Sequence, residues 1–253
     1  MIAFHRADTQ HCDTDRNGEA ADGMIDGIVF DKDGTLFDFR ISWGRWAEDF
    51  LAGLARDRAH HAAMAEAIGY LPAERSFRPD SVVIAATAAD IAAALLPHLP
   101  DHDLTSLRAT IDEAAAGVTM SEAVPLVPLF TALRARGLRL GIATNDSEAP
   151  ARAHLEAHGL TGLLDFIAGY DSGYGPKPGP GMCQAFAASQ GLDPARVFMV
   201  GDSLHDLEAG RAAGMRTLAV LTGIATAGDL APMAEAVLPD IGAIPALLDG
   251  ISG

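Results

Sequence analysis

The chain has 253 residues and a net charge of −16 with histidine neutral; 49% of its residues are apolar and 21% are charged. That length carries a full hydrophobic core, in one large domain or a domain with an insertion, and the composition is that of a globular protein. So acidic a surface argues against nucleic acid and anionic membranes as partners. Any phosphate-handling site must therefore bring local positive charge, from a metal ion or a lysine.

Residues 1–23 carry His5, Arg6, Asp8, Asp13, Asp15 and Arg16 but no apolar signal core. They read as a disordered tail rather than a secretory signal, and Met24, just before the first strand, is an alternative start. His5, His11 and Cys12 are too irregularly spaced to suggest a metal site. The apolar run Ile28-Val29-Phe30 reads as a strand that leads straight into Asp31-Lys32-Asp33-Gly34-Thr35. Residues 41–119 are alanine-rich, with helical stretches at Trp46–Arg56 and Ala85–Leu96 and no convincing strand. They are expected to form a helical insertion folded as its own small domain, with linkers near Asp38–Ser42 and Val118–Pro125.

From Leu126 onward, helix and strand patterns alternate. Leu126, Leu129, Phe130 and Leu133 have helical spacing, with Gly137 as a stop. Leu138–Thr144 reads as a buried strand, and Asp146 or Ser147 can cap the helix after it. Phe166–Tyr170 is a short strand, Gly181–Gln190 a helix, Arg196–Val200 an apolar strand, Asp206–Ala213 a helix and Thr217–Leu221 a further strand. Repeated strand–helix units imply an α/β fold with a parallel sheet covered by helices on both faces. The core is expected over residues 24–40 and 120–253. No apolar run approaches the roughly 20 residues of a membrane span. Two cysteines, Cys12 and Cys183, make no disulfide framework, so a reducing cytoplasm is the expected setting.

In parallel sheets, ligands sit beyond the carboxyl ends of the strands. Asp31, Thr144 and Asp202 each follow an apolar run, so one topological rule places them at one edge. Asp31 and Asp33 leave the chain on the same side if the strand pattern persists. One such carboxylate can attack phosphorus, and a neighbouring carboxyl can protonate the leaving oxygen and later deprotonate water. Thr144 and Asn145 stand before a helix N-terminus, which suits phosphate oxygens and equally suits a helix cap. Lys177, between two prolines and two glycines, can neutralise a phosphate oxygen. Asp202 and Asp206, with Ser203 beside them, are spaced to aim at one point, as ligands of a hard cation do. His154 and His158 lie four apart on a helix with Glu156 between them; the order is wrong for a zinc protease, and they read as a solvated face. His205 reads as a surface or supporting group. Trp43, Arg45, Arg75 and Arg78 are candidates for reaching the body of a substrate.

The set Asp31-x-Asp33-Gly34-Thr35, Thr144, Lys177 and Gly201-Asp202-x3-Asp206 resembles the haloacid dehalogenase superfamily, with the closest look to its phosphoglycolate-phosphatase-like members. The resemblance covers roughly residues 25 to 245. It implies a Rossmann-like core with an inserted helical cap, and a Mg²⁺-dependent phosphatase acting on a small phosphate monoester through an aspartyl phosphate. It implies Asp31 as nucleophile, Asp33 as general acid/base, and Thr144 and Lys177 as phosphate ligands. Mg²⁺ would be held by Asp31, the Asp33 backbone carbonyl and Asp202, with Asp206 in support. The second acid at position 33 argues against a true dehalogenase. Lys32 and Phe37 differ from residues more usual in phosphoglycolate phosphatases. A phosphomutase of the β-phosphoglucomutase type and a catalytically silent binding protein are the rival expectations.

Overall fold

The computed structural model describes residues 24–251, so the expectations for His5, His11, Cys12 and the rest of residues 1–23 lie outside the described residues. Strand β1 (Gly27–Phe30) is buried at all four positions, as a central strand covered on both faces must be. Its side chains alternate between two cores: Ile28 and Phe30 pack into one cluster, Val29 into the other. After β1 come α1 (Phe39–Leu54), α2 (Arg58–Ala67), a hairpin of β2 (Tyr70–Leu71) and β3 (Ser76–Phe77), then α3 (Val82–Ala85), α4 (Ala88–Leu95) and α5 (Leu104–Ala116). The chain then runs through α6 (Leu126–Ala135), β4 (Arg139–Ala143), α7 (Glu148–Ala157), β5 (Phe166–Ala168), α8 (Gly181–Gln190) and β6 (Val197–Gly201). It ends with α9 (Leu204–Ala212), β7 (Arg216–Val220), α10 (Ala227–Leu230), β8 (Ala236–Leu238) and α11 (Ile244–Ile251).

Six strands form one parallel sheet in the order β5-β4-β1-β6-β7-β8. The chain leaves β1 for β4 and β5 on one side, then returns to β6, β7 and β8 on the other. The winding reverses at β1, and the crevice beyond the carboxyl ends at such a reversal is where α/β sheets bind ligands. Close packing holds the strands in register. Phe30 meets Phe130 of α6 at 5.1 Å between ring centroids, and a Cβ added to Gly141 would stand 2.6 Å from the Phe186 ring of α8.

Three local expectations change. Asp38–Ser42 is not a linker: Asp38 accepts a hydrogen bond from the Ile41 N–H at 2.9 Å and caps α1, which begins at Phe39. The region read as strand-free holds the β2–β3 hairpin, whose two-residue strands are too short to leave a period-2 signal. The sheet also continues one strand past Leu221, with β8 pairing β7. One apolar cluster runs from Phe30, Leu140 and Phe198 of the sheet to Trp43, Trp46 and Leu107 of α1 and α5, so the inserted helices pack directly on the core.

Candidate active site

Asp31, Thr144 and Asp202 follow β1, β4 and β6, which are neighbours in the sheet. All three are buried. Lys177 reaches them from the loop between β5 and α8, and Asn145 fixes that loop. Its Oδ1 accepts from the Lys177 backbone N–H at 2.8 Å and its Nδ2 donates to the Lys177 carbonyl at 2.9 Å. Asn145, expected as a phosphate ligand, is thus seen holding the lysine backbone. Lys177 Nζ donates to Asp31 Oδ1 at 2.5 Å and to Asp206 Oδ1 at 2.6 Å. The other oxygen of Asp206 accepts from the Ser203 N–H at 3.0 Å and the Ser203 hydroxyl at 2.6 Å. This capping arrangement at the start of α9 points Asp206 back across the crevice.

Asp31, Asp202 and Asp206 each offer an oxygen within 4.8 Å of the others. With all three ionised, three carboxylates against one ammonium would leave two negative charges in a buried space. Burial pushes the Asp31 carboxyl up to about 7 against the pull of Lys177, with Asp206 and Asp33 adding to the rise. Asp202 is raised well above the ordinary carboxylate range by burial and then by Asp206 and Asp31. Burial works to deprotonate Lys177, but Asp206 and Asp31 outweigh it and hold the ammonium. A compact, oxygen-only donor set with this charge fits a hard divalent cation such as Mg²⁺. Gly34 makes room for the Asp202 carboxylate. The backbone there has φ +82°, and a Cβ would run into the Asp202 carboxylate, so glycine is required twice over.

Asp33 belongs to a different group of side chains. The strand ends at Phe30, and the chain folds into a tight loop in which the Leu36 N–H donates to the Lys32 carbonyl at 2.9 Å and the Gly34 N–H to the Phe37 carbonyl at 2.8 Å. The alternation that would put Asp31 and Asp33 on one side stops with the strand. Lys32 is completely buried. Its Nζ lies 2.8 Å from Asp33 Oδ1 and 2.7 Å from Asp33 Oδ2, and Trp43 Nε1 donates to Asp33 Oδ1 at 2.8 Å. Nζ is also 3.2 Å from His154 Nδ1 and 3.4 Å from Asp146 Oδ2. The last is an ion pair without a hydrogen bond, since that oxygen has no hydrogen-bond partner.

His154 is therefore not on a solvated face. It is 2% exposed, and burial first, then Lys32, pushes its pKa down to about 4. His158 is half-buried, 2.8 Å from Glu122. Burial raises Asp146 to about 6 in spite of Lys32. Lys32 itself is raised, because Asp33 and Asp146 outweigh its burial. The chain has only two lysines, Lys32 and Lys177, and both are spent inside this site.

A cavity of about 60 Å³ lies over Asp31 and Asp33. Its floor includes Thr144, Lys177, Asp202, Ser203 and His205, and its roof includes Phe39, Trp43, Trp46, Val83, Ile91 and Ile111. Trp43 is thus the only one of the four expected substrate-reaching residues on the lining, among the described residues. Arg45 is exposed, 3.6 Å from Asp49. Arg78 pairs with Glu66 at 2.5 Å and Asp80 at 3.4 Å. Arg75 faces solvent in a left-handed backbone conformation, φ +48°. A larger cleft of about 820 Å³ lies beside α1, lined by Arg45, Asp49 and Met120 but by none of the buried carboxylates. The smaller cavity is the site, because the chemistry is there.

The fold and this arrangement define a doubly wound α/β protein with an acidic, lysine-braced pocket. Residues 25–214 match the model of the haloacid dehalogenase-like hydrolases, and the chain belongs to that family. It is an enzyme, a phosphatase of the family. It is 33% identical over 211 residues to the phosphoglycolate phosphatase of Rhodospirillum rubrum, covering 79% of this chain and 81% of the relative. It is 29% identical over 204 residues to the N-acetylmuramic acid 6-phosphate phosphatase of Pseudomonas aeruginosa, covering 79% and 83%. Among solved structures it is similar in fold to CbbY from Rhodobacter sphaeroides in complex with phosphate, at TM-score 0.68 and 22% identity, covering 89% of this chain and all of that one.

Proposed function

We propose that this protein is a Mg²⁺-dependent phosphatase that hydrolyses a small phosphate monoester through an aspartyl phosphate on Asp31. The observation that carries the reading is the buried group of Asp31, Asp202 and Asp206 braced by Lys177 at the ends of β1 and β6. Asp31 attacks phosphorus, and the bond to the departing alcohol breaks. Asp33, which faces the same cavity, gives that oxygen its proton and later takes one from the water that splits the aspartyl phosphate. Lys177 and Thr144 hold the phosphoryl oxygens. Asp31, Asp202 and Asp206 would hold the metal ion, as would the Asp33 carbonyl by family resemblance. Bound there, Mg²⁺ neutralises charge on the phosphoryl group.

Residues 41–119 act in this reading as a cap domain over the core. The cavity lies between this cap and the carboxyl ends of the strands, with Trp43, Trp46 and Ile91 from the cap facing Asp31 and Thr144 of the core. Its roof is aromatic and aliphatic, which suits a monoester with a largely neutral body. Phosphoglycolate remains in the panel because of the Rhodospirillum rubrum relative. The low cysteine count, two in the whole chain, supports a cytoplasmic setting in this reading.

The test is phosphate release from p-nitrophenyl phosphate and a metabolite panel, with and without Mg²⁺, for the wild type and Asp31→Asn. Mg²⁺-dependent release that Asp31→Asn abolishes while it stays folded supports the reading. A folded wild type that releases phosphate from no ester would sink it and leave a binding protein. Transfer of phosphate to a second sugar position would make it a phosphomutase.

A further inference from the structure

We infer that Lys32, His154 and Trp43 are positioning residues for Asp33, holding its carboxyl against the bond to the departing oxygen; this rests on the phosphatase reading above. A lysine is almost never fully buried unless it is paired, and Lys32 has no exposed surface. Its ammonium group hydrogen-bonds to Asp33 Oδ1 and His154 Nδ1 and forms ion pairs with Asp33 Oδ2 and Asp146 Oδ2. Two oxygens of Asp33 lie at 2.8 and 2.7 Å and His154 Nδ1 at 3.2 Å.

The imidazole end of this chain is fixed in turn. His154 Nε2 stands 2.9 Å from the Ala115 carbonyl. A carbonyl only accepts, so Nε2 carries the hydrogen and Nδ1 presents its lone pair to Lys32. On the other side, the indole N–H can only donate, and Trp43 gives it to Asp33 Oδ1 at 2.8 Å. Asp33 Oδ1 thus receives two donors from different directions, while Oδ2 stays within ion-pair distance of the same ammonium, so the carboxyl group is held from two sides. Ala115 and Trp43 belong to α5 and α1, at the two ends of the inserted region. The acid/base is therefore held from the core by Lys32 and from the insertion at both ends.

Such placement matters where a proton moves. As Asp31 bonds to phosphorus, the phosphorus–oxygen bond of the ester breaks, and the departing oxygen takes the proton of the Asp33 carboxyl. A misplacement of about 1 Å in such a step costs up to about a hundredfold in rate. An alkoxide needs that proton in order to leave; p-nitrophenolate leaves as a stable anion and does not.

The experiment measures kcat/KM, which reports the first chemical step, for an alkyl phosphate and for p-nitrophenyl phosphate in Trp43→Phe and Lys32→Met. Trp43→Phe keeps an aromatic ring in the roof and loses the N–H together with part of the indole's bulk. The expected loss on the alkyl ester is about tenfold for Trp43→Phe, what one hydrogen bond to a charged group is worth, and larger for Lys32→Met. The expected loss on p-nitrophenyl phosphate is several-fold smaller for each. Equal losses on both esters, or none in folded Trp43→Phe, overturn the inference and leave the phosphatase reading standing. A wild type inactive on every ester removes that reading and this inference with it.

Discussion

Lys177→Met is expected to be more destabilising at pH 8 than at pH 5. The substitution keeps length and bulk and removes one ammonium from between Asp31 at 2.5 Å and Asp206 at 2.6 Å. Asp202 stands in the same group. Removing one partner of a buried pair costs about 3–5 kcal/mol, because the remaining charge is left unbalanced. The lysine is charged at both pH values, so the pH difference comes from the carboxyls. Asp31 is raised from an ordinary 3.8 to about 7 in the folded protein. A carboxyl raised in this way costs stability progressively as pH climbs from about 4 to 7, and without Lys177 that window extends upward. At pH 5 the group is protonated with or without the lysine, and much of the loss disappears. Urea unfolding without divalent metal measures both values. A loss below about 1 kcal/mol at pH 8, or an equal loss at both pH values, would refute this electrostatic account of the site.

Metal binding is expected to carry the same signature in reverse. Mg²⁺ should raise Tm more at pH 8 than at pH 5, since the carboxyls must be ionised to bind it, and Asp202→Asn should remove most of that rise; a rise insensitive to pH and to the substitution contradicts the assignment. Gly34→Ala is expected to cost more than Gly175→Ala in unfolding free energy and to weaken the Mg²⁺ response. Both positions have positive φ, +82° and +78°, but only the Cβ at Gly34 meets Asp202, while nothing lies within 4 Å at Gly175. The shared backbone cost is about 1–2 kcal/mol, so equal losses would show that the Asp202 contact is not felt.

The convergence of Asp31, Thr144, Lys177 and Asp202 is legible in the sequence because three of them end apolar strands, and strand ends in a parallel sheet share an edge. The partners of Asp33 are not. Alternation suggests that Asp33 follows Asp31; the two acids do share one cavity, but the loop at Gly34 gives Asp33 partners of its own, Lys32 and Trp43. His154 hides in a helix of low hydrophobicity, Glu148–Ala157, with polar neighbours. One signal was available: Ala151, His154 and Leu155 fall on one helical stripe, and that stripe is the buried one. A lysine wedged between two acids directly after a buried strand was the other. The hairpin at Tyr70–Phe77 had no signal to offer, because strands of two residues have no period. The helix start at Asp38 was masked by the aromatic run behind it, although an aspartate three residues before Ile41 is a workable cap.

The central claim is a covalent phosphate on Asp31, and borohydride trapping tests it most directly. An acyl phosphate formed during turnover of an alkyl phosphate with Mg²⁺ is reduced by borohydride to the alcohol, which converts the aspartate to homoserine. Peptide mass spectrometry is expected to find homoserine at position 31 only when substrate and Mg²⁺ are both present, and none in Asp31→Asn. Steady turnover with an unmodified Asp31, or homoserine at another carboxylate, would contradict the account.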